Sequence, residues 1–200
     1  KCDAVVLFAA TATDNCGVTA LTYALKGGGA VVSGATFPKG TTTIVATAVD
    51  AAGNTSSCEF SVTITDNEKP VITCPSNILQ NTDTGKCDAV VLFAATATDN
   101  CGVTALSYAV KGGGAVVSGA TFPKGTTTIV ATAVDAAGNA ASCEFTVTVQ
   151  DAEAPVIACP TNITKDTAAG RCDAVVDFAA TATDNGGVTA DRKSTRLNSS

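Results

Sequence analysis

The sequence contains no histidine, no methionine and no tryptophan, and only 4% of its 200 residues are aromatic. Without histidine there is no Ser-His-Asp or Cys-His catalytic group and no His-ligated zinc site. Charged residues are scarce at 15%, and no apolar run approaches the roughly 20 residues of a membrane span. The net charge of −6 argues against a nucleic-acid surface, which needs clustered lysine and arginine. We therefore expect no enzyme, no membrane insertion and no nucleic-acid partner.

An internal repeat of 85 residues dominates what is present. The string KCDAVVLFAATATDNCGVTA begins at Lys1 and returns at Lys86, and a close variant begins at Arg171, so both intervals are 85 residues. This period is too long for a solenoid unit and suits a string of small domains. Because the sequence starts at Lys1 and lacks methionine, we expect it to be part of a longer protein.

Polar linkers that end in proline set the phase of the repeat. They lie at 66–70 and 151–155, between alternating apolar runs. The expected organisation is a repeat without its first strand over 1–66, a complete repeat over 67–151, the start of a third over 152–190, and an unrelated segment over 191–200. That last segment, DRKSTRLNSS, matches a reading frame through a common sequencing-library adapter. We expect it to be translated adapter and not native protein.

Within a repeat, apolar residues recur with a period of two and not 3.6. The alternating runs are rich in β-branched residues and cover 103–110, 128–134 and 143–149. Glycine, proline and Asx residues supply the turns between them, and no segment combines helical spacing with helix caps. About seven short strands per repeat predict an all-β fold of tandem immunoglobulin-like antiparallel β-sandwich domains, each of about 85 residues.

The nine cysteines follow the repeat, and a full repeat has four, which permits three connectivities. Cys101 and Cys143 are expected to begin strands at one end of the sandwich, which favours their pairing and leaves Cys74 for Cys87. Over the whole chain this predicts the pairs Cys16–Cys58, Cys74–Cys87, Cys101–Cys143 and Cys159–Cys172.

Two cysteine positions stand outside this scheme. Cys2 is left over for a partner before residue 1, and Gly186 replaces the corresponding cysteine of the third repeat. Since no CxxC motif and no histidine favour metal ligation, the cysteines predict disulfides. Disulfides in turn predict an oxidising, extracellular location, secreted or at the cell surface.

Taken together, these motifs resemble the HYR (hyalin repeat) domain. The strings that carry the resemblance are CPSNI from Cys74, GKCDAVV from Gly85, ATDNCG from Ala97, FPKGTT from Phe122, DAAGN from Asp135 and SCEF from Ser142. The resemblance covers 67–151 and the rest of the chain outside 191–200. It implies an immunoglobulin-like fold in extracellular tandem arrays associated with cell adhesion.

The expected function is that of a non-catalytic adhesion and spacer array within a larger secreted or cell-surface protein. Its expected partners are neighbouring repeats and an unknown protein or glycan at a cell surface or matrix. The alternative is a carbohydrate-binding accessory module of a secreted enzyme. That alternative needs aromatic platforms for the sugar, and only Tyr23 and Tyr108 are available.

Oxygen ligands are expected to collect at one end of the sandwich, near the linker. Carboxylate and amide oxygens are what a hard cation such as Ca²⁺ needs. The candidate ligands are Asp66, Glu68, Asp99, Asn100, Asp135 and Asn139. The alternative is that these side chains only cap turns by bonding their own backbone, in which case the protein has no cofactor.

Overall fold

The computed structural model describes residues 1–187. Residues 188–190 of the expected third repeat and the whole of 191–200, which we attribute to an adapter, lie outside the described residues. The described part consists of strands and turns without a helix. Its strands, in chain order, are β1 Asp3–Val6, β2 Val18–Leu25, β3 Ala35–Pro38, β4 Gly40–Asp50, β5 Thr55–Ile64, β6 Val71–Thr73, β7 Ile78–Asn81, β8 Asp88–Val91, β9 Thr96–Thr98, β10 Val103–Val110, β11 Ala115–Val116, β12 Ala120–Pro123, β13 Gly125–Asp135, β14 Ala140–Gln150, β15 Val156–Ala158 and β16 Thr181–Thr183.

The second repeat forms two packed layers. One is a five-stranded sheet in the order β11-β10-β13-β14-β7, in which β7 runs parallel to β14. The other contains the antiparallel pair β8–β12. Val91 and Phe122 of that pair are buried in one cluster with Ile129 and Val147 of the sheet. Alternate strand residues therefore face each other across the core, and the predicted immunoglobulin-like β-sandwich is confirmed.

The first repeat repeats this packing with fewer strands. Its three-stranded antiparallel sheet, in the order β2-β4-β5, faces the pair β1–β3. The buried residues are Phe37, Ile44 and Val62, which are the 85-residue equivalents of Phe122, Ile129 and Val147 in the second repeat. Equal sequence at the inward positions gives equal packing.

Two compact units divide the chain, and the division does not follow the repeat boundary. The first unit joins the first repeat, the linker and one end of the second repeat; the second unit holds the remainder. Their segments are 1–73, 96–107 and 132–143 for the first unit, and 74–95, 108–131 and the described residues from 144 onwards for the second. The candidate ligands from the linker and from the second repeat thus belong to one unit.

The disulfides differ from the four predicted pairs. Cys2 bonds to Cys101, although Cys2 was expected to have no partner in this chain. Cys74 and Cys143 are each disulfide-bonded. The free cysteines are Cys16, Cys58, Cys87, Cys159 and Cys172. Since Cys101 is taken and Cys87 is free, the predicted pairs Cys101–Cys143 and Cys74–Cys87 are wrong, as are Cys16–Cys58 and Cys159–Cys172.

Sheet order explains why the pairs within a repeat fail. In the first repeat β4 lies between β2, which Cys16 precedes, and β5, which contains Cys58 opposite Ala46. Strands two apart in a sheet are about 9–10 Å apart, beyond the roughly 7 Å limit on the Cα separation of a disulfide. In the second repeat β13 separates Cys101 from Cys143 in the same way. Cys159 and Cys172 lie between β15 and β16 in a stretch without strands, so no hairpin holds them together.

Candidate metal centre

The turn after β13 holds the most buried of the candidate ligands. Asp135 is 2% exposed, and one of its carboxylate oxygens accepts hydrogen bonds from the backbone N–H groups of Ala137 (2.8 Å) and Asn139 (2.9 Å). The other oxygen accepts from the Asn139 side-chain amide at 2.8 Å. Gly138 has a φ of 89°, a backbone conformation that suits glycine and closes the turn.

These hydrogen bonds keep Asp135 ionised. Burial by itself raises the pKa of the carboxyl, because it removes water from the charged form. The hydrogen bonds from the Asn139 side chain and from the backbone of Asn139, Ala137 and Gly138 outweigh that effect, so the pKa of Asp135 lies below its ordinary value of 3.8. The turn therefore presents a fixed negative charge at the end of the sandwich.

A second turn, between β9 and β10, brings Asp99 and Asn100 to the same end. Asp99 Oδ1 accepts a hydrogen bond from the backbone N–H of Cys101 at 2.9 Å, and the Asn100 amide donates to the backbone oxygen of Lys1 at 3.0 Å. These contacts fix both side chains. The remaining oxygens, Asp99 Oδ2 and Asn100 Oδ1, are buried and have no hydrogen-bond partner.

The linker contributes Asp66, whose side chain is 2% exposed. Its Oδ1 accepts a hydrogen bond from the backbone N–H of Glu68 at 3.3 Å, and its backbone oxygen accepts one from the Asn139 amide at 3.1 Å. Its Oδ2 is buried without a hydrogen-bond partner. The ammonium group of Lys39 lies 3.8 Å from that oxygen, which is an ion pair too long for a hydrogen bond.

These three aspartates converge on one point. One carboxylate oxygen from each of Asp66, Asp99 and Asp135 lies within 4.8 Å of the others. Oxygens bound to one Ca²⁺ at about 2.3–2.6 Å are at most about 4.6–5.2 Å apart. A single ion can therefore be reached by all three, and at least two of the available oxygens lack any other partner.

The other candidate ligands have different places. Glu68 is exposed and contributes its backbone N–H to Asp66, so it is not one of the three converging acids. Asn139 joins Asp135 to the linker as a hydrogen-bond donor. Turn capping, the alternative to a cation site, is real for Asp99 and Asp135, but it leaves Asp99 Oδ2 unused.

Sequence reasoning missed two neighbours of this cluster. A cavity of about 100 Å³ is lined by Asp66 and Asn100 together with Lys39 and the Cys2–Cys101 disulfide. Lys39 belongs to the FPKG turn, which was assigned only as a turn. The spacing of Lys39 from Asp66 recurs in Lys124 and Asp151, which form an ion pair at 3.4 Å, so the period carried the signal for this pairing.

Comparisons with known proteins agree with the repeat organisation. The sequence model of the HYR domain matches residues 2–64 and 65–149. The chain is 33% identical over 174 residues to Hyalin of Strongylocentrotus purpuratus, covering 84% of this chain and 14% of that protein. It is 36% identical over 155 residues to Hyalin of Lytechinus variegatus, covering 74% of this chain and 28% of that protein. The chain thus spans well under a third of either relative.

Solved structures with related folds are more distant. Fibronectin(III)-like modules of Clostridium thermocellum CbhA align with a TM-score of 0.35 and 17% identity, covering 70% of this chain and 83% of theirs. The EC3-6 fragment of protocadherin gammaB7 aligns with a TM-score of 0.33 and 19% identity, covering 68% of this chain and 42% of its own. In the part of the chain that the structure describes, no helix has the length and apolar character to cross a bilayer.

Proposed function

Because the chain belongs to the HYR domain family, we propose that its repeats form a non-catalytic extracellular array that serves a larger secreted or cell-surface protein as an adhesion and spacer module. The observation that carries this proposal is the match of the family to two consecutive segments, 2–64 and 65–149. Each repeat builds its own hydrophobic cluster. The unit that recurs along the chain is therefore a packed domain, as a modular spacer requires.

Cysteine chemistry supports the extracellular location. Cys2 and Cys101 are joined by a disulfide, and Cys74 and Cys143 are disulfide-bonded too. Disulfides persist in secreted and surface proteins and are rare where thiols are kept reduced. A core made mainly of alanine, valine and a few phenylalanines also benefits from covalent support.

The placement of the aromatic residues favours this function over sugar binding. Tyr108 is half-buried, its ring lies edge-on to Phe93 with centroids 5.1 Å apart, and its hydroxyl accepts a hydrogen bond from the backbone N–H of Ala95 at 2.9 Å. Tyr23 makes the equivalent contacts in the first repeat. Both tyrosines thus serve the core, whereas a carbohydrate-binding module needs exposed aromatic faces.

Joining two copies of the full chain end to end is expected to strengthen binding to a cell-surface or matrix preparation at least about tenfold over one copy. After the first contact, the second copy binds at an effective concentration set by the connection, which raises avidity without new contacts. Surface plasmon resonance over immobilised matrix extract and over a glycan panel measures this. Equal affinities for one and two copies, or no binding to any surface, would contradict an adhesion role.

We also propose that the converging aspartates hold Ca²⁺. Asp66 Oδ2 and Asp99 Oδ2 are buried without hydrogen bonds, and three carboxylates approach one another while a single ammonium group, that of Lys39, lies 3.8 Å from one of them. Like charges this close disfavour one another unless a cation lies among them. A divalent ion bound by Asp66, Asp99 and Asp135 removes that repulsion and ties the linker to two turns of the second repeat.

Calcium titration of the full chain by calorimetry tests this proposal. We expect one site per Asp66 cluster, with an affinity in the range of extracellular modules, about 10⁻⁴–10⁻³ M. Asp66→Asn should weaken it at least about tenfold, because it removes a ligand charge, whereas Lys39→Gln should strengthen it by removing a competing cation. Asp50→Asn is the matched control, since Asp50 forms the same turn in the first repeat. Undetectable binding, or equal loss in Asp50→Asn, would overturn the calcium proposal.

A further inference from the structure

The Cys2–Cys101 disulfide joins two consecutive repeats. Cys2 precedes β1 of the first repeat, and Cys101 lies in the turn before β10 of the second repeat, 99 residues later. The neighbouring residue makes a second contact of the same kind, because the Asn100 amide donates to the backbone oxygen of Lys1 at 3.0 Å. The turn of one repeat is thus fixed to the first strand of the preceding repeat by a covalent bond and a hydrogen bond.

The same docking recurs one period later without the covalent bond. The Asn185 amide donates to the backbone oxygen of Lys86 at 2.7 Å, and the Cys87 sulfur lies against the backbone oxygen of Asn185. Lys86, Cys87 and Asn185 are each 85 residues after their equivalents in the first junction. The equivalent of Cys101 is Gly186, so Cys87 is exposed and free.

Gly186 leaves room that other side chains use. A Cβ atom placed on Gly186 would lie 2.2 Å from Asp151 Oδ2 and 2.9 Å from the Lys124 ammonium. Both atoms are ends of flexible side chains, and they form an ion pair across the position. In contrast to Gly187, whose φ is 83°, Gly186 does not adopt a left-handed conformation. A cysteine at 186 therefore requires only that this ion pair move aside.

We propose that disulfides lock successive repeats to one another in register, from the cysteine before the first strand of one repeat to the turn cysteine of the next, and that Gly186 leaves one junction unlocked. The pairing always spans 99 residues, which places the partners of Cys16 and Cys172 outside residues 1–200. This goes beyond a spacer role, because it gives the array two kinds of junction. One kind is covalently closed and opened by reductants, and the other is held by hydrogen bonds alone.

The chemistry of closure is thiol–disulfide exchange. Two cysteine thiols lose two electrons and two protons as their S–S bond forms, and a small-molecule disulfide such as oxidised glutathione accepts both and leaves as two thiols. At the second junction only one thiol is present, so exchange stops at a mixed disulfide on Cys87. Closure at that junction therefore depends on residue 186.

Peptide mapping of the oxidised full chain tests the register. Cleavage before each aspartate places all nine cysteines in separate peptides, because at least one aspartate lies between any two neighbouring cysteines. We expect peptide 1–2 linked to peptide 99–134, and alkylation of the native protein by iodoacetamide at Cys87 in peptide 83–87. A Cys16–Cys58 or Cys101–Cys143 link in place of Cys2–Cys101, or an unreactive Cys87, would overturn the proposal.

Gly186→Cys tests the unlocked junction directly. After oxidation with glutathione, this variant should link peptide 83–87 to the peptide that begins at Asp184, and alkylation of Cys87 should fall at least tenfold. Gly186→Ala is the matched control and should leave Cys87 reactive. Cys2→Ser is the second variant; it should raise alkylation of Cys101 at least tenfold while the far-ultraviolet spectrum stays unchanged. A folded Gly186→Cys protein that keeps two free thiols would contradict the docking on which the proposal rests.

Discussion

Replacing Phe93 with alanine should unfold the second repeat at or near room temperature. Phe93 is 7% exposed, and its ring contacts Tyr108, Phe122 and Phe145 with centroid distances of 5.1, 6.2 and 5.4 Å. Truncating a buried phenylalanine costs about 3–5 kcal/mol, and small domains are stable by only about 5–15 kcal/mol. Few large side chains surround the cavity that would be left, so the core has little with which to fill it.

Leu92→Ala is the matched control for this substitution. Leu92 is the neighbouring residue on the opposite face and is 75% exposed, so its loss should change the melting temperature by less than about 2 °C. Thermal unfolding followed by circular dichroism measures both variants. Similar melting temperatures for Phe93→Ala and Leu92→Ala would show that the aromatic cluster does not hold this repeat together.

The strands were predictable from the sequence because each has one buried face. The alternating runs at 103–110, 128–134 and 143–149 correspond to β10, β13 and β14. β13 and β14 are longer than the runs, at Gly125–Asp135 and Ala140–Gln150. The additional residues are mainly threonine, alanine and serine, whose backbone continues the ladder where no apolar alternation marks it.

The aspartate cluster was partly predictable and the disulfide register was not. Asp99 and Asp135 follow strands, so their positions in turns at one end could be read from the sequence, and the linker position of Asp66 placed it beside them. Cysteine spacing carries no such information, because two identical repeats offer the same cysteine twice. Local pairing was favoured on strand order within one repeat, whereas Cys101 in fact bonds to the preceding repeat.

Asp135→Ala should lower the melting temperature of the second repeat on the order of 5–15 °C at neutral pH. The substitution leaves the backbone N–H groups of Ala137 and Asn139 and the Asn139 amide without their acceptor at a position that is 2% exposed. It also releases the tie between this turn and the Asp66 linker, which depends on the orientation of Asn139. The measurement is thermal unfolding in a buffer that contains a calcium chelator, so that loss of a bound ion does not contribute.

The dependence on pH separates the carboxylate from a merely steric effect. The pKa of folded Asp135 lies below the ordinary value of 3.8, so its ionised form contributes stability above that value, and the contribution disappears as the pH falls through the lower, folded pKa. The difference between the wild-type protein and Asp135→Ala should therefore be full at pH 6 and shrink below about pH 4. Asp50 accepts the same hydrogen bonds from Ala52 and Asn54, and the Asn54 bonds lower its pKa too. Because Asp50 is only half-buried, Asp50→Ala should cost less than Asp135→Ala while its effect follows pH in the same way. A pH-independent difference for Asp135→Ala would mean that the hydrogen-bonded charge does not stabilise the turn.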